Sequence, residues 1–388
     1  MINCTRLLCA KKGFYDEIRY EKGKPADSNR PIVVWNTTKS CNLKCVHCYF
    51  DAGAKQDKGE LTTAEAKAMI DDLALFGAPV LLFSGGEPFM RKDLFELGRY
   101  ASAKGLRTVI STNGTLITKE AAQKVKDAGF SYVGISLDGL ESVNDKFRQE
   151  RGAFQKTLQG IRNCQASGVR VGLRFTINKY NFGDIAGIFD LVEGEAIRRV
   201  CFYHLVYSGR GSAMIKDDLT ARQSREAMDL IFERTRKLCA KNADTEVLTV
   251  DNHTDGVYLY LCLKKEDPAR ALEALGLLKI NGGNKSGIGI ADVDNLGFVH
   301  PDQFWRDYPL GNVKKRKFSE IWSDEGNGLL RNLRNRLTLL KGKCGRCHFQ
   351  DICGGNFRAR AEAVYGDIWQ EDPACYLSEE EVTSARED

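Results

Sequence analysis

Between Pro31 and about Val206, short apolar or β-branched runs alternate with longer stretches of helical period. Residues 32–35, 80–83, 108–110, 132–135, 171–175 and 200–203 are too short for helices. They lack the alternation of a half-exposed strand, which predicts parallel strands buried on both faces. Between them, 62–76 sets Ala66, Met69, Ile70 and Leu73 on one helical face, behind a Thr cap with Glu65 three residues on. Helices are also predicted over 93–104, 119–128 and 154–167. Each stops at a glycine (Gly105, Gly129, Gly168), the residue suited to a left-handed cap.

Six strand–helix units joined by right-handed crossovers curl into an α/β fold, a partial (β/α)6 TIM-like barrel. Chemistry in such a fold sits on the loops that follow the strands' C-terminal ends. After Gly211 the pattern changes: helices are expected over 221–241 and 268–278, and a hairpin at 288–299 around Asp294-Asn295. The expected organisation is an arm (1–30), a barrel (31–211), a bridging region of helices and hairpin (212–340), and a cysteine-rich extension (341–388).

Composition narrows the function. The chain has 388 residues and a net charge of +5. It has no Lys/Arg block to track a phosphate backbone, so nucleic acid is not an expected partner. No apolar run approaches the ~18 residues of a membrane span. The opening residues carry Arg6, Lys11 and Lys12 without a signal-peptide core, which points to the cytoplasm. Against that background 13 cysteines stand out. In a reducing compartment they are core residues, metal ligands or nucleophiles, and spacing decides between these.

Cys41, Cys45 and Cys48 form C-x3-C-x2-C directly after the first strand. Three thiolates leave one iron of a four-iron cluster open to an outside ligand. Zinc would need a fourth donor, and His47 lies awkwardly between two of the cysteines. Cys344, Cys347, Cys353 and Cys375 supply four thiolates, enough to close a [4Fe-4S] cluster or a structural zinc site. Cys164 and Cys201 lie on apolar elements and read as core. Cys4 and Cys9 need partners from elsewhere, and Cys239 and Cys262 have no ligand spacing. Later strand ends offer Gly85-Gly86-Glu87, Ser111, Asn113, Ser136 and Asp138, and Arg174 lies within the fifth strand. An inward guanidinium there needs an anion.

The run Cys41-Asn42-Leu43-Lys44-Cys45-Val46-His47-Cys48-Tyr49 resembles the cluster loop of the radical S-adenosylmethionine (SAM) enzymes, and Gly85-Gly86-Glu87-Pro88 resembles their GGEP segment. The resemblance implies that the open iron binds S-adenosyl-L-methionine. It assigns ligand contacts to Gly85, Gly86, Glu87, Ser111, Asn113, Ser136, Asp138 and Arg174. One electron from the reduced cluster would then release methionine and a 5′-deoxyadenosyl radical that abstracts hydrogen from substrate. The tail resembles the auxiliary-cluster site of the family's SPASM extension. Asp302 and Phe357 stand where a further auxiliary cluster would have cysteines, so two [4Fe-4S] clusters are expected in all. The vacated place leaves His300, Asp302 and Gln303 to face substrate.

The segments Thr5-Arg6-Leu7-Leu8-Cys9, Ile18-Arg19-Tyr20, Cys353 to Arg360 and Asp372 to Tyr376 are similar to the haem-biosynthesis subgroup of that family. This implies a tetrapyrrole substrate and removal of the acetate side chains of 12,18-didecarboxysiroheme to give iron-coproporphyrin III. A ferredoxin or flavodoxin would donate electrons. Phe298, Phe304, Trp305 and Tyr308, with Arg306, Arg358 and Arg360, are candidates for walls and clamps around such a disc. Any of the five histidines is a candidate ligand for its iron. The other readings are propionate removal in dioxo-haem formation, a SPASM peptide maturase, and a non-enzymatic iron–sulfur electron carrier.

Overall fold

The computed structural model describes residues 1–21 and 30–383, so part of the expected arm (22–29) and the end of the tail (384–388) lie outside the described residues. The six expected strands are present: β2 (Ile32–Asn36), β3 (Val80–Ser84), β4 (Arg107–Thr112), β5 (Tyr132–Ser136), β6 (Val171–Ile177) and β7 (Arg199–His204). They are joined by β1 (Ile2–Asn3), β8 (Glu246–Val250), β9 (Ile290–Val293), β10 (Phe298–His300) and β11 (Gly311–Asn312). The strand order is β1-β8-β7-β6-β5-β4-β3-β2-β9-β10-β11.

The parallel run is longer than expected. β8 pairs parallel with β7, and β9 pairs parallel with β2, extending the six strands on both sides. The expected hairpin exists as β9 and β10, and its first strand is part of the barrel sheet. The five residues of β8 are all buried. Among the described residues β8 and β9 are not paired with each other, so the barrel is open on one side.

The helices follow the reasons that predicted them. Thr63–Phe76 begins with a Thr62–Glu65 capping box, and Ala66, Met69, Ile70 and Leu73 are buried. Gly105, Gly129 and Gly168 all take positive φ just past their helices. The arm adds β1 antiparallel to β8 and sets Tyr15 between Arg107 and Arg199, each guanidinium 4.7 Å from its ring centroid. That stack plugs the N-terminal end of the barrel. Cys164 and Cys201 are core residues, as expected. Cys9 finds its partner in Cys239 of helix Ala221–Ala240 as a disulfide with Cα atoms 6.5 Å apart. No described helix is long and apolar enough to cross a membrane.

Candidate active site

The loop after β2 is held down by the loop after β3. The Gly86 N–H donates to Thr38 O and the Glu87 N–H to Ser40 O, both at 2.8 Å. A Cβ on Gly86 would stand 2.2 Å from Ser40 O, and one on Gly85, at φ +110°, 2.8 Å from Thr38 O. The two glycines therefore permit the loops to touch, and they also line the cavity above.

Cys41, Cys45 and Cys48 line that cavity too, each sulfur already accepting at least one hydrogen bond, and Cys41 Sγ a second from Asn113 Nδ2 at 4.0 Å. The Leu43 N–H reaches Cys41 Sγ at 3.4 Å, Arg148 Nη1 reaches Cys45 Sγ at 3.3 Å, and the Ala52 N–H reaches Cys48 Sγ at 3.4 Å. Donors aimed at sulfur suit thiolates. Burial foremost pushes the Cys41 thiol up to about 12; the Leu43 hydrogen bond opposes this, and Glu87, Cys45 and Cys48 add to it. Three thiols in one field become thiolates only around strong positive charge, which bound iron would supply. Among the described residues no three His, Cys, Asp or Glu side chains converge as a single metal ion requires.

The remaining candidates divide. Ser111, Asn113, Ser136 and Arg174 line the cavity. Arg174 hydrogen-bonds Ser111 Oγ, lies over Gly134, and leaves its Nε without a partner. A Cβ on Gly134 would sit 2.3 Å from that Nε, so the glycine makes room for the guanidinium. The groups that raise its pKa against burial are Tyr203, Tyr132, Cys201 and Tyr49, with no carboxylate among them. An anionic ligand would answer that charge.

Glu87 and Asp138 do not line the cavity. Glu87 is fully buried and accepts from Thr112 Oγ1 at 2.7 Å, the Asn113 N–H at 2.8 Å and the Phe89 N–H at 3.2 Å. Its carboxylate ties the ends of β3 and β4 together. Asp138 pairs with Arg148 and sits 3.2 Å from His47 Nε2. Burial works against its ionisation, but Arg148 and His47 outweigh it and hold the carboxyl well below its usual range. Asp138 therefore positions two cavity-lining side chains. Sequence reasoning missed Arg148, which ends a short charged helix, Glu141–Arg148, with no local sign of burial.

The thiols of the second cysteine group lie close enough to feel one another's charge. Cys353 is pushed well above its usual value by burial, then by the charges of Cys344, Cys375 and Cys347, so all four thiols share one environment. Arg358 faces this group: it donates to Gly355 O, Gln370 O and Ile368 O, with Cys344 Sγ 3.9 Å away. Arg360 is fully buried against Asp372, with Nε at 2.9 Å and Nη2 at 2.8 Å from its carboxylate, and donates to Leu205 O and Asp251 O. Neither arginine lines the cavity: every nitrogen of the Arg360 guanidinium is engaged, and Arg358 keeps only a buried Nε without a partner. Arg306 lies over Phe50 and donates to its carbonyl.

One cavity of about 480 Å3, within the range of small-molecule sites, is lined by the cluster loop, by residues along the barrel strands down to Tyr15, Arg107 and Arg199, and by the loops beside the open side. At the open side Asp251, His253, Asp302, Gln303, Phe304 and Phe357 line it. Asp302 and Gln303 face it as expected; His300 does not, and its Nε2 lies 3.4 Å from Asp294 Oδ2. Of the four aromatic candidates only Phe304 lines the cavity. Trp305 is buried in a side cluster, while Phe298 and Tyr308 are exposed. Asp251 and His253 follow β8. Reading residues 246–250 as a strand would have marked their loop as chemically active by the barrel rule.

The radical SAM superfamily profile matches residues 35–192. The chain is 56% identical to the Fe-coproporphyrin III synthase of Methanosarcina barkeri, across 98% of this chain and 99% of that one. It is 41% identical to the pre-heme d1 synthase of Dinoroseobacter shibae, covering 95% and 90%. It is 34% identical to the AdoMet-dependent heme synthase of M. barkeri, covering 90% and 97%. Among solved structures, Streptococcus suis SuiB bound to S-adenosylmethionine superposes with TM-score 0.70 at 17% identity, over 90% of this chain and 78% of that one. AdoMet- and peptide-bound anSMEcpe does so at 0.67 and 18%, over 89% and 94%, and these two likenesses concern the fold. Membership brings a [4Fe-4S] cluster and S-adenosylmethionine, which the donor set after β2 fits. On fold, cluster loop and full-length identity, the chain belongs to the radical SAM superfamily, in the branch that holds Fe-coproporphyrin III synthase.

Proposed function

We propose that this enzyme removes the two acetate side chains of 12,18-didecarboxysiroheme to give iron-coproporphyrin III. The observation that carries this reading is the 56% identity, end to end, with a protein named for that product. The pre-heme d1 synthase, at 41%, stands further away, which favours acetate over propionate removal.

Cys41, Cys45 and Cys48 would hold the SAM-binding cluster. When bound, cluster and S-adenosylmethionine together supply a hydrogen-abstracting radical, with a ferredoxin or flavodoxin as electron source. The chain's own residues orient and enclose. Arg174 and Ser111 offer donors to a carboxylate, and Asn113 and Ser136 add polar contacts at neighbouring strand ends. Tyr49, whose hydroxyl is fixed by Asn36 Oδ1 at 2.9 Å, and Phe304 wall the passage towards the open side. Their rings meet edge-on at 5.4 Å. Cys344, Cys347, Cys353 and Cys375 would hold an auxiliary [4Fe-4S] cluster, with Arg358 Nη2 3.9 Å from Cys344 Sγ.

The test is anaerobic turnover of didecarboxysiroheme by the reconstituted, reduced enzyme with S-adenosylmethionine, with the product identified by mass spectrometry. Loss of both acetates supports the reading. Loss of propionates instead would move the enzyme to dioxo-haem formation, and an untouched tetrapyrrole would remove the substrate assignment.

A further inference from the structure

The five histidines are equivalent in the sequence, and the structure separates them. His300 and His348 do not line the cavity. His47 lines it and its Nδ1 is buried without a partner, but the ring is tied down by its Nε2, 3.2 Å from Asp138. His204 lines it with Nε2 3.0 Å from Asp255 Oδ2. Burial lowers the His204 pKa, but Asp255 more than offsets this, which favours the imidazolium, a form with no lone pair to give.

His253 differs from His47 and His204 in that no carboxylate holds its ring. It is 5% exposed and lines the cavity, and its ring makes no hydrogen bond, with Nδ1 buried and unpartnered. Burial, then the N-terminal ammonium of Met1 and the cations Arg336, Lys285 and Arg360, push its pKa well below the usual imidazole range, which favours the neutral ring. A buried polar ring without a partner is costly unless a ligand completes it, and a neutral imidazole suits iron.

The ring is also well placed and well held. The backbone N–H of His253 donates to Asn356 Oδ1 at 2.7 Å, and Asn356 Nδ2 reaches Asn252 Oδ1 at 2.6 Å, which fixes the backbone that carries the ring. Both contacts come from the loop that follows Cys353. The ring of Phe357 lies parallel to that of His253, at 10° and 6.4 Å between centroids. A flat apolar macrocycle would meet an aromatic wall and a nitrogen donor in the same cavity that the cluster loop lines.

Resting on the tetrapyrrole reading above, we propose that His253 is the axial ligand that binds the central iron of the substrate and so fixes which edge of the macrocycle faces the cluster loop. Iron held by histidine is an established mode of haem ligation. The assignment makes His253 a binding residue of this site and ties substrate position to the auxiliary cysteine loop through Asn356.

The experiment titrates untagged, cluster-loaded protein anaerobically with ferric iron-coproporphyrin III and, separately, with metal-free coproporphyrin III. The readouts are fluorescence, absorbance and the electron paramagnetic resonance of the ferric iron. Wild type is expected to bind both, giving an imidazole-ligated iron signal. His253→Ala is expected to lose that signal and at least about tenfold in affinity for the iron porphyrin. Metal-free binding should stay unchanged, and added imidazole should restore the signal. His253→Met, which keeps the volume, should change the signal to that of a thioether ligand, so a folding defect in the alanine variant leaves the question answerable. An imidazole signal that persists in both variants overturns the ligand assignment while leaving the tetrapyrrole reading intact. Failure of wild type to bind either porphyrin overturns both.

Discussion

Arg148 donates through Nη1 to Cys45 Sγ at 3.3 Å while its guanidinium pairs with Asp138, so a buried carboxylate and a cluster-loop sulfur share one cation. Both charged partners are almost fully buried, Arg148 at 6% and Asp138 at 1% exposure. Removing one of them leaves the other charge uncompensated, which typically costs about 3–5 kcal/mol. Arg148→Met should destabilise the protein by that order in anaerobic urea denaturation. Arg148→Met with Asp138→Leu should recover much of it. Equal destabilisation in single and double variants would show that the pair is not what holds this loop.

Gly134 is small because Arg174 lies across it. Gly134→Ala places a Cβ 2.3 Å from Arg174 Nε, and it faces Gly172 across the β5–β6 pair. The strand can keep its backbone, but the guanidinium must leave. S-adenosylmethionine binding, measured by equilibrium dialysis on cluster-loaded protein, is expected to weaken by at least about tenfold with the circular dichroism unchanged. Undiminished binding would remove Arg174 from the ligand's contacts.

The two cysteine groups should load independently. Reconstituted wild type is expected to hold about eight irons per chain, and Cys344→Ala or Cys41→Ala about four. Iron analysis together with Mössbauer spectra tests this. A Cys344→Ala protein that retains the full iron content would dismiss the auxiliary cluster.

Asp251 supplies a pH dependence. Burial raises its pKa to about 7, against pull from neighbouring cations that include Arg360 and His204. A carboxyl whose folded pKa is raised binds its proton more tightly in the folded state. Its stabilising contribution is present at acid pH and is lost as pH rises from about 4 through about 7. Asp251 sits at φ +64°, which asparagine tolerates, so Asp251→Asn keeps the backbone. The stability of the variant relative to wild type should rise across that window by more than about 1 kcal/mol and be flat above it. A constant difference from pH 4 to 8 would contradict the assignment.

How much of this was legible in the sequence depended on whether the signal was local. The six central strands and their helices carry their own periodicity and glycine caps, and the cysteine spacings are contiguous, so both were readable. β8 was missed because its five residues follow a long helix and a polar turn, outside the strand–helix rhythm, and Asp251 and His253 were lost with it. Arg148, Arg358 and Arg360 show the other failure. A buried arginine is defined by partners far along the chain or folded back from a loop. Nothing in a run such as Phe357-Arg358-Ala359-Arg360 says that Asp372 will take one guanidinium and a cysteine loop the other. Glu87 was assigned to a ligand because its glycines are at the site, but its side chain turns back to Thr112 and Asn113.

The measurement that bears most directly on the whole account counts 5′-deoxyadenosine formed by the reduced, cluster-loaded enzyme with didecarboxysiroheme present, with it absent, and with iron-coproporphyrin III in its place. The account predicts that didecarboxysiroheme strongly stimulates S-adenosylmethionine cleavage and that iron-coproporphyrin III appears in step with it, while the product alone gives little. Cleavage indifferent to the tetrapyrrole, with didecarboxysiroheme recovered intact, would contradict it.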